Sequence, residues 1–112
     1  MINAFKAKAY SASLTNTVVN IEIVGNCRYA LMDVGNGNAT ASYIQIFNRP
    51  AASVTLGTTA PLHSYYIPAN GGRVIAFGTV LDFGGDGFSI AATTTRAGST
   101  APVATVDVNV AL

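Results

Sequence analysis

Residues 103–112 read VATVDVNVAL, and the alternation in this stretch decides the class of fold. Val106, Val108 and Val110 fall on one side of an extended chain, and Thr105, Asp107 and Asn109 fall on the other. A period of two is the mark of a strand with one apolar and one wet face. The stretch VVNIEIV (18–24) repeats the pattern, with Val19, Ile21 and Ile23 opposed to Asn20 and Glu22. Strands wetted on one face predict an antiparallel sheet, because parallel sheets are covered on both sides.

Working inward from these two strands, CRYALMDV (27–34) and ASYIQIF (41–47) flank GNGNAT (35–40). The Asn36-Gly37 pair tolerates the positive φ angles of a primed two-residue turn and is the strongest hairpin signal in the chain. Arg49-Pro50 ends the second strand, since proline has no N–H for the ladder. The connector AASVTLGTTAP (51–61) is read as a loop with a short strand at Ser53–Leu56. In SYYIPANGGRVIAF (64–77), Pro68 stops one apolar run, and Asn70 with Gly71 and Gly72 permits a tight reversal into another, a second hairpin. LDFGGDGFSIAATTT (81–95) reads as strand, glycine corner, strand.

Turn signals recur at short intervals and no stretch has a 3.6-residue period. The expected fold is therefore all-β, an antiparallel two-sheet β-sandwich of jelly-roll or Ig-like type with roughly eight short strands. A small barrel is the alternative. Residues 17–112 are assigned to the sandwich, and residues 1–16 to either an N-terminal arm or its first strand.

Composition bounds the function. A chain of 112 residues makes one domain. Charged residues are 10% of it, against roughly 25% in an ordinary soluble domain, so Ser, Thr, Asn, Gly and Ala must form most of the surface. Lys6, Lys8, Arg28, Arg49, Arg73 and Arg96 are scattered and make no basic stripe for nucleic acid. No apolar run approaches the ~20 residues of a membrane span, and the segment after Met1 lacks the apolar core of a secretory signal. The lone Cys27 forms no internal disulfide and reads as a buried, inert thiol of a chain made in a reducing cytoplasm.

The residues with chemical potential do not assemble into a reaction centre. His63 and Ser64 are neighbours on a strand and point to opposite faces, so they form no dyad. Glu22, Asp33, Asp82, Asp86 and Asp107 read as separate solvated acids. DFGGDG (82–87) has the glycines of a cation loop but carries Gly84 and Thr93 where a helical calcium loop needs ligands. ANGGRV and FGGDGF lack the helix whose N-terminus would hold a phosphate. The triplet Asn38-Ala39-Thr40 matches a glycosylation acceptor and is read as part of a turn. Tyr65 and Tyr66 alternate faces, which leaves one of them free to stack on a sugar or a second subunit. No catalytic residue, metal ligand, cofactor or small-molecule substrate is expected.

A resemblance rests on SYIQIFNRPAASVTLGTTAPLHSYYIPANGGRVIAF (42–77), LDFGGDGFSIAATTT (81–95) and the closing VDVNVAL (106–112). Within them, Phe47-Asn48, Gly57-Thr58-Thr59-Ala60-Pro61, Ile67-Pro68-Ala69-Asn70-Gly71-Gly72, Gly87-Phe88 and Ala92-Thr93-Thr94-Thr95 resemble a group of small β-sandwich proteins of tailed-phage virions. The resemblance implies a structural protein without a cofactor: a capsid decoration or cement subunit on the outer capsid surface, made in the host cytoplasm. Its implied partners are the major capsid protein and copies of itself, as a homotrimer or similar ring. A tail, baseplate or fibre component is the alternative, and a carbohydrate-binding module outside any virus a third reading. In MINAFKAKAY (1–10), Ile2, Phe5 and Tyr10 are expected as apolar anchors on a neighbour or capsid, with Lys6 and Lys8 turned towards an acidic partner. An ordinary first strand is the equal alternative for this segment.

Overall fold

The computed structural model describes residues 9–21, 30–77 and 88–111. They form eight strands: β1 (Ala9–Leu14), β2 (Val19–Ile21), β3 (Ala30–Asn36), β4 (Ser42–Phe47), β5 (His63–Ile67), β6 (Gly71–Phe77), β7 (Phe88–Thr93) and β8 (Val106–Ala111). These make two four-stranded sheets, one in the order β1-β8-β3-β6 and the other β2-β7-β4-β5. Every pairing is antiparallel. The fold is the β-sandwich that the alternating strands predict, and the strand order is that of a jelly roll, in which the chain changes sheet at every connection except β4 to β5.

The core lies between the sheets. Val106, Val108 and Val110 of β8 point inward with Met32 and Val34 of β3 and Ile75 of β6, and meet Ile21, Ile44, Ile46, Ile67, Phe88 and Ile90 from the other sheet. Six isoleucines and four valines are among the buried apolar residues. Such side chains are stiff at χ1 and fit a pleated surface at little entropic cost. The alternation read in residues 103–112 is observed directly, for Asp107 and Asn109 are exposed between the buried valines.

Two expected hairpins are absent, for a common reason. β3 and β4 lie in different sheets, β3 pairing with β6 and β8, and β4 with β5 and β7. The Asn36-Gly37 stretch therefore carries the chain across the sandwich. Neither residue has positive φ, since Asn70 (φ 50°) and Gly57 (φ 83°) alone do among the described residues. Likewise β5 and β6 are in opposite sheets, and the Pro68–Asn70 turn passes between them. A change of direction occurs at both places, with the expected positive φ at Asn70 but not at Asn36-Gly37, and each turns a corner instead of folding a strand onto its predecessor. The expected strand at Ser53–Leu56 is a 3₁₀ turn at Ala51–Ser53 followed by a reversal at Gly57. Asp33, read as a solvated acid, is exposed within β3, which continues to Asn36. The corner at residues 82–87 and Cys27 lie outside the described residues.

Asn36 and Asn38 bind three of these crossings together. The Asn36 side-chain amide donates to the carbonyls of Thr40 (3.1 Å), Ile67 (3.4 Å) and Pro68 (3.2 Å). Its Oδ1 accepts from the Asn38 backbone N–H (3.0 Å) and Nδ2 (2.8 Å). The Asn70 N–H donates to the Asn38 carbonyl (2.9 Å). The β3–β4, β5–β6 and β7–β8 connections thus meet at one end of the sandwich, where side-chain amides satisfy peptide groups that no ladder reaches.

Candidate interaction surface

The two outer faces of the sandwich are unlike. In β4, Ile44 and Ile46 point into the core, so Tyr43, Gln45 and Phe47 point away from it, yet Phe47 is only 1% exposed and Gln45 fully buried. Ser89, Ala91 and Thr93 on the same side of β7 are buried too. Two connections supply the cover. The 48–62 loop crosses the sheet: the Arg49 carbonyl accepts from Ser89 Oγ (2.8 Å), and the Ala51 N–H donates to Asn20 Oδ1 of β2 (2.8 Å). The 94–105 connection lies beside it, with the Gly98 carbonyl accepting from Gln45 Nε2 (3.0 Å) and the Arg96 carbonyl from Ser64 Oγ (2.6 Å). Gln45 Nε2 also donates to Thr93 Oγ1 (2.7 Å), which in turn donates to the Thr95 carbonyl (2.7 Å). Small side chains at Ser89 and Ala91 leave room for the loops to approach the sheet.

The opposite face, on β1-β8-β3-β6, is bare among the described residues. Strand register places Ser13, Asp107, Gly35 and Gly72 in one row across it. Asn109, Asp33 and Val74 make a second row, and Leu31 with Ala76 a third. Val74 is 62% exposed and Leu31 48%. A Cβ on Gly72 would come within 2.7 Å of the Val34 carbonyl oxygen, so the backbone itself keeps this corner flat. The result is a low surface of small, mostly uncharged side chains carrying two exposed aliphatic groups.

Charge is divided between the faces. Both carboxylates among the described residues, Asp33 and Asp107, project from the bare face, Asp107 accepting from Ser13 Oγ (3.1 Å). Arg49 and Arg96 belong to the loop layer, and Arg73 lies at the edge on β6. No three His, Cys, Asp or Glu side chains among the described residues come together as a metal site.

The aromatic residues gather on β4 and β5. Tyr43 and Tyr66 meet edge to face at 5.7 Å on the loop side. On the core side, His63 stacks on Tyr65 with ring centroids 5.5 Å apart. The Arg96 guanidinium lies over Tyr43 (5.1 Å) and that of Arg73 over Tyr65 (5.4 Å). Burial raises the Tyr65 phenol above its ordinary value, opposed in part by the positive charge of Arg73. His63 and Ser64 diverge as expected of strand neighbours, with Ser64 engaged by Arg96.

Of the residues singled out as contacts, Ile2, Phe5, Lys6 and Lys8 lie outside the described residues, and Tyr10 falls within β1 opposite Val110 in the register. The triplet at Asn38 is part of a turn, and its amide is committed to hydrogen bonds inside the corner, with the residue only 5% exposed. Sequence reasoning did not find the arginines on the β5 edge or the loop-covered face. The buried small residues of FSIAAT carried a faint sign of the second. No family model, curated protein or solved structure matches this chain.

Proposed function

We propose that this protein is a structural component of a tailed-phage virion, a decoration or cement subunit that binds the outer capsid surface and stabilises the head. The observation that carries this reading is the flat β1-β8-β3-β6 face, bare among the described residues, set against a loop-covered one. Apart from Asp33 and Asp107, that face is made of Ser, Gly, Asn, Ala, Val and Leu, so covering it desolvates few charges. Each contact with a neighbour is then weak, and many symmetric copies multiply it. The resemblance of the turn motifs to those of small β-sandwich virion proteins is in keeping with the same reading.

The test is co-sedimentation of purified protein with empty heads of the phage that encodes it, together with the oligomeric state in solution. Saturable binding that V74R or L31E abolishes is expected. A monomer that leaves the heads untouched refutes the proposal.

One observation favours a tail or fibre role as the second reading. Tyr66 is 45% exposed beside Tyr43 and Arg96, an arrangement suited to stacking against a sugar ring. Glycan-array binding that Y66A removes would support it, and silence on the array would count against it.

A further inference from the structure

We infer that the free edge of β5 is a strand-pairing edge which Arg73 and Arg96 hold closed against a second copy of the chain. Among the described residues, β5 is the last strand of its sheet. The direction of its peptide groups follows from its neighbour. The Leu62 N–H donates to the Ile46 carbonyl (2.7 Å), so the even-numbered residues of β4 turn their peptide groups towards β5. The register pairs Ile46 with His63, Ile44 with Tyr65 and Ser42 with Ile67. Peptide groups alternate along a strand, so those of Ser64 and Tyr66 point off the open edge.

Both of these carbonyls are occupied by guanidinium groups from other elements. Arg96, from the loop layer, donates through Nη1 to the Ser64 carbonyl (2.9 Å). Arg73, on β6 of the opposite sheet, donates through Nη1 to the Tyr66 carbonyl (3.3 Å). Each guanidinium is also held over a tyrosine ring, Arg96 over Tyr43 and Arg73 over Tyr65. A planar guanidinium can stack and donate at once, which fixes it against the edge. The Ser64 hydroxyl completes a reciprocal link by donating to the Arg96 carbonyl (2.6 Å).

An open edge pairs most readily with its own copy, since a two-fold axis brings equivalent strands together antiparallel. An incoming strand would need the Ser64 and Tyr66 carbonyls as acceptors and would have to place its backbone where two cations sit. The inference concerns this edge alone and does not depend on a virion role.

Self-association is to be measured by sedimentation velocity over a range of concentrations, with circular dichroism and thermal melting to establish folding. R73A/R96A should associate at least about tenfold more tightly than wild type. R73K/R96K, which keeps charge and a donor but loses the planar stack, should fall between wild type and R73A/R96A. Ser64→Pro added to R73A/R96A should restore the wild-type state, because it blocks the edge at a position whose N–H the β4–β5 ladder does not use. Proline would not rescue aggregation of an unfolded chain, so this arm separates edge pairing from misfolding. Should R73A/R96A fail to fold, R73Q/R96Q takes its place in the same comparison. A folded double variant that associates no more than wild type, or association that Ser64→Pro leaves unchanged, overturns the inference.

Discussion

Asn38 and Ala104, 66 residues apart, form a two-way amide pair: Asn38 Nδ2 donates to the Ala104 carbonyl (3.0 Å) and the Ala104 N–H donates to Asn38 Oδ1 (2.7 Å). A side chain here imitates a peptide group and joins the β3–β4 corner to the β7–β8 connection. It completes the knot begun by Asn36, so the end of the sandwich is closed by amides where an apolar plug would leave peptide groups unpaired.

Asn38→Ala leaves the Ala104 peptide without these partners in a partly buried place and takes one of two donors from Asn36 Oδ1, which keeps the backbone N–H of residue 38. The expected loss is about 2–4 kcal/mol of unfolding free energy, above the average for a surface substitution because buried groups go unsatisfied. Chemical denaturation measures it. Asn38→Asp keeps the acceptor but sets a carboxylate oxygen against Asn36 Oδ1 and the Ala104 carbonyl, and should cost at least as much as Asn38→Ala near neutral pH.

Gln45 is the peg that pins the outer loop to the second sheet. Gln45→Ala removes donors to Thr93 Oγ1 and the Gly98 carbonyl. It should cost about 1–3 kcal/mol, and amide exchange in residues 94–101 should quicken more than exchange in β8. Equal acceleration in both would mean that the loop and core open together.

Ser42 Oγ lies buried in the core-facing row of β4 without a hydrogen-bond partner among the described residues. Ser42→Ala removes a hydroxyl that folding strips of water and nothing repays, so stability should rise by about 1 kcal/mol. An unchanged or lowered melting temperature contradicts this.

The Tyr65 phenol is raised by burial above its ordinary value of 10.0. The folded state therefore holds this proton more tightly than the unfolded chain. The resulting stability is complete below the unfolded value and is lost as pH rises through the folded one. Alkaline titration followed by phenolate absorbance should show a late-ionising tyrosine that disappears in Tyr65→Phe. The same variant should flatten the fall of stability above pH 10.

Much of the fold was legible because alternation is a local property. VATVDVNVAL shows its buried valines without reference to any partner strand, and Arg49-Pro50 ends β4 by chemistry that needs no neighbours. The connections were not legible in the same way. Asn36-Gly37 and Asn70-Gly71 announce a change of direction, but whether a strand returns beside its predecessor or crosses to the facing sheet depends on where its apolar side is needed. The covered face of β4 and β7 escaped notice because Gln45 and Thr93 are polar and their cover comes from residues far along the chain. The guarded edge of β5 was hidden for the same reason: Arg73 and Arg96 are unremarkable in sequence and meet Ser64 and Tyr66 only once two sheets and a loop are in place.

The unlike surfaces of the sandwich give it a front and a back. One side offers backbone-flat ground bearing aspartates, and the other wears a padded coat of loops bearing arginines. A lattice built from such tiles inherits a direction from every tile, so that inside and outside are distinguished before any second kind of molecule takes part.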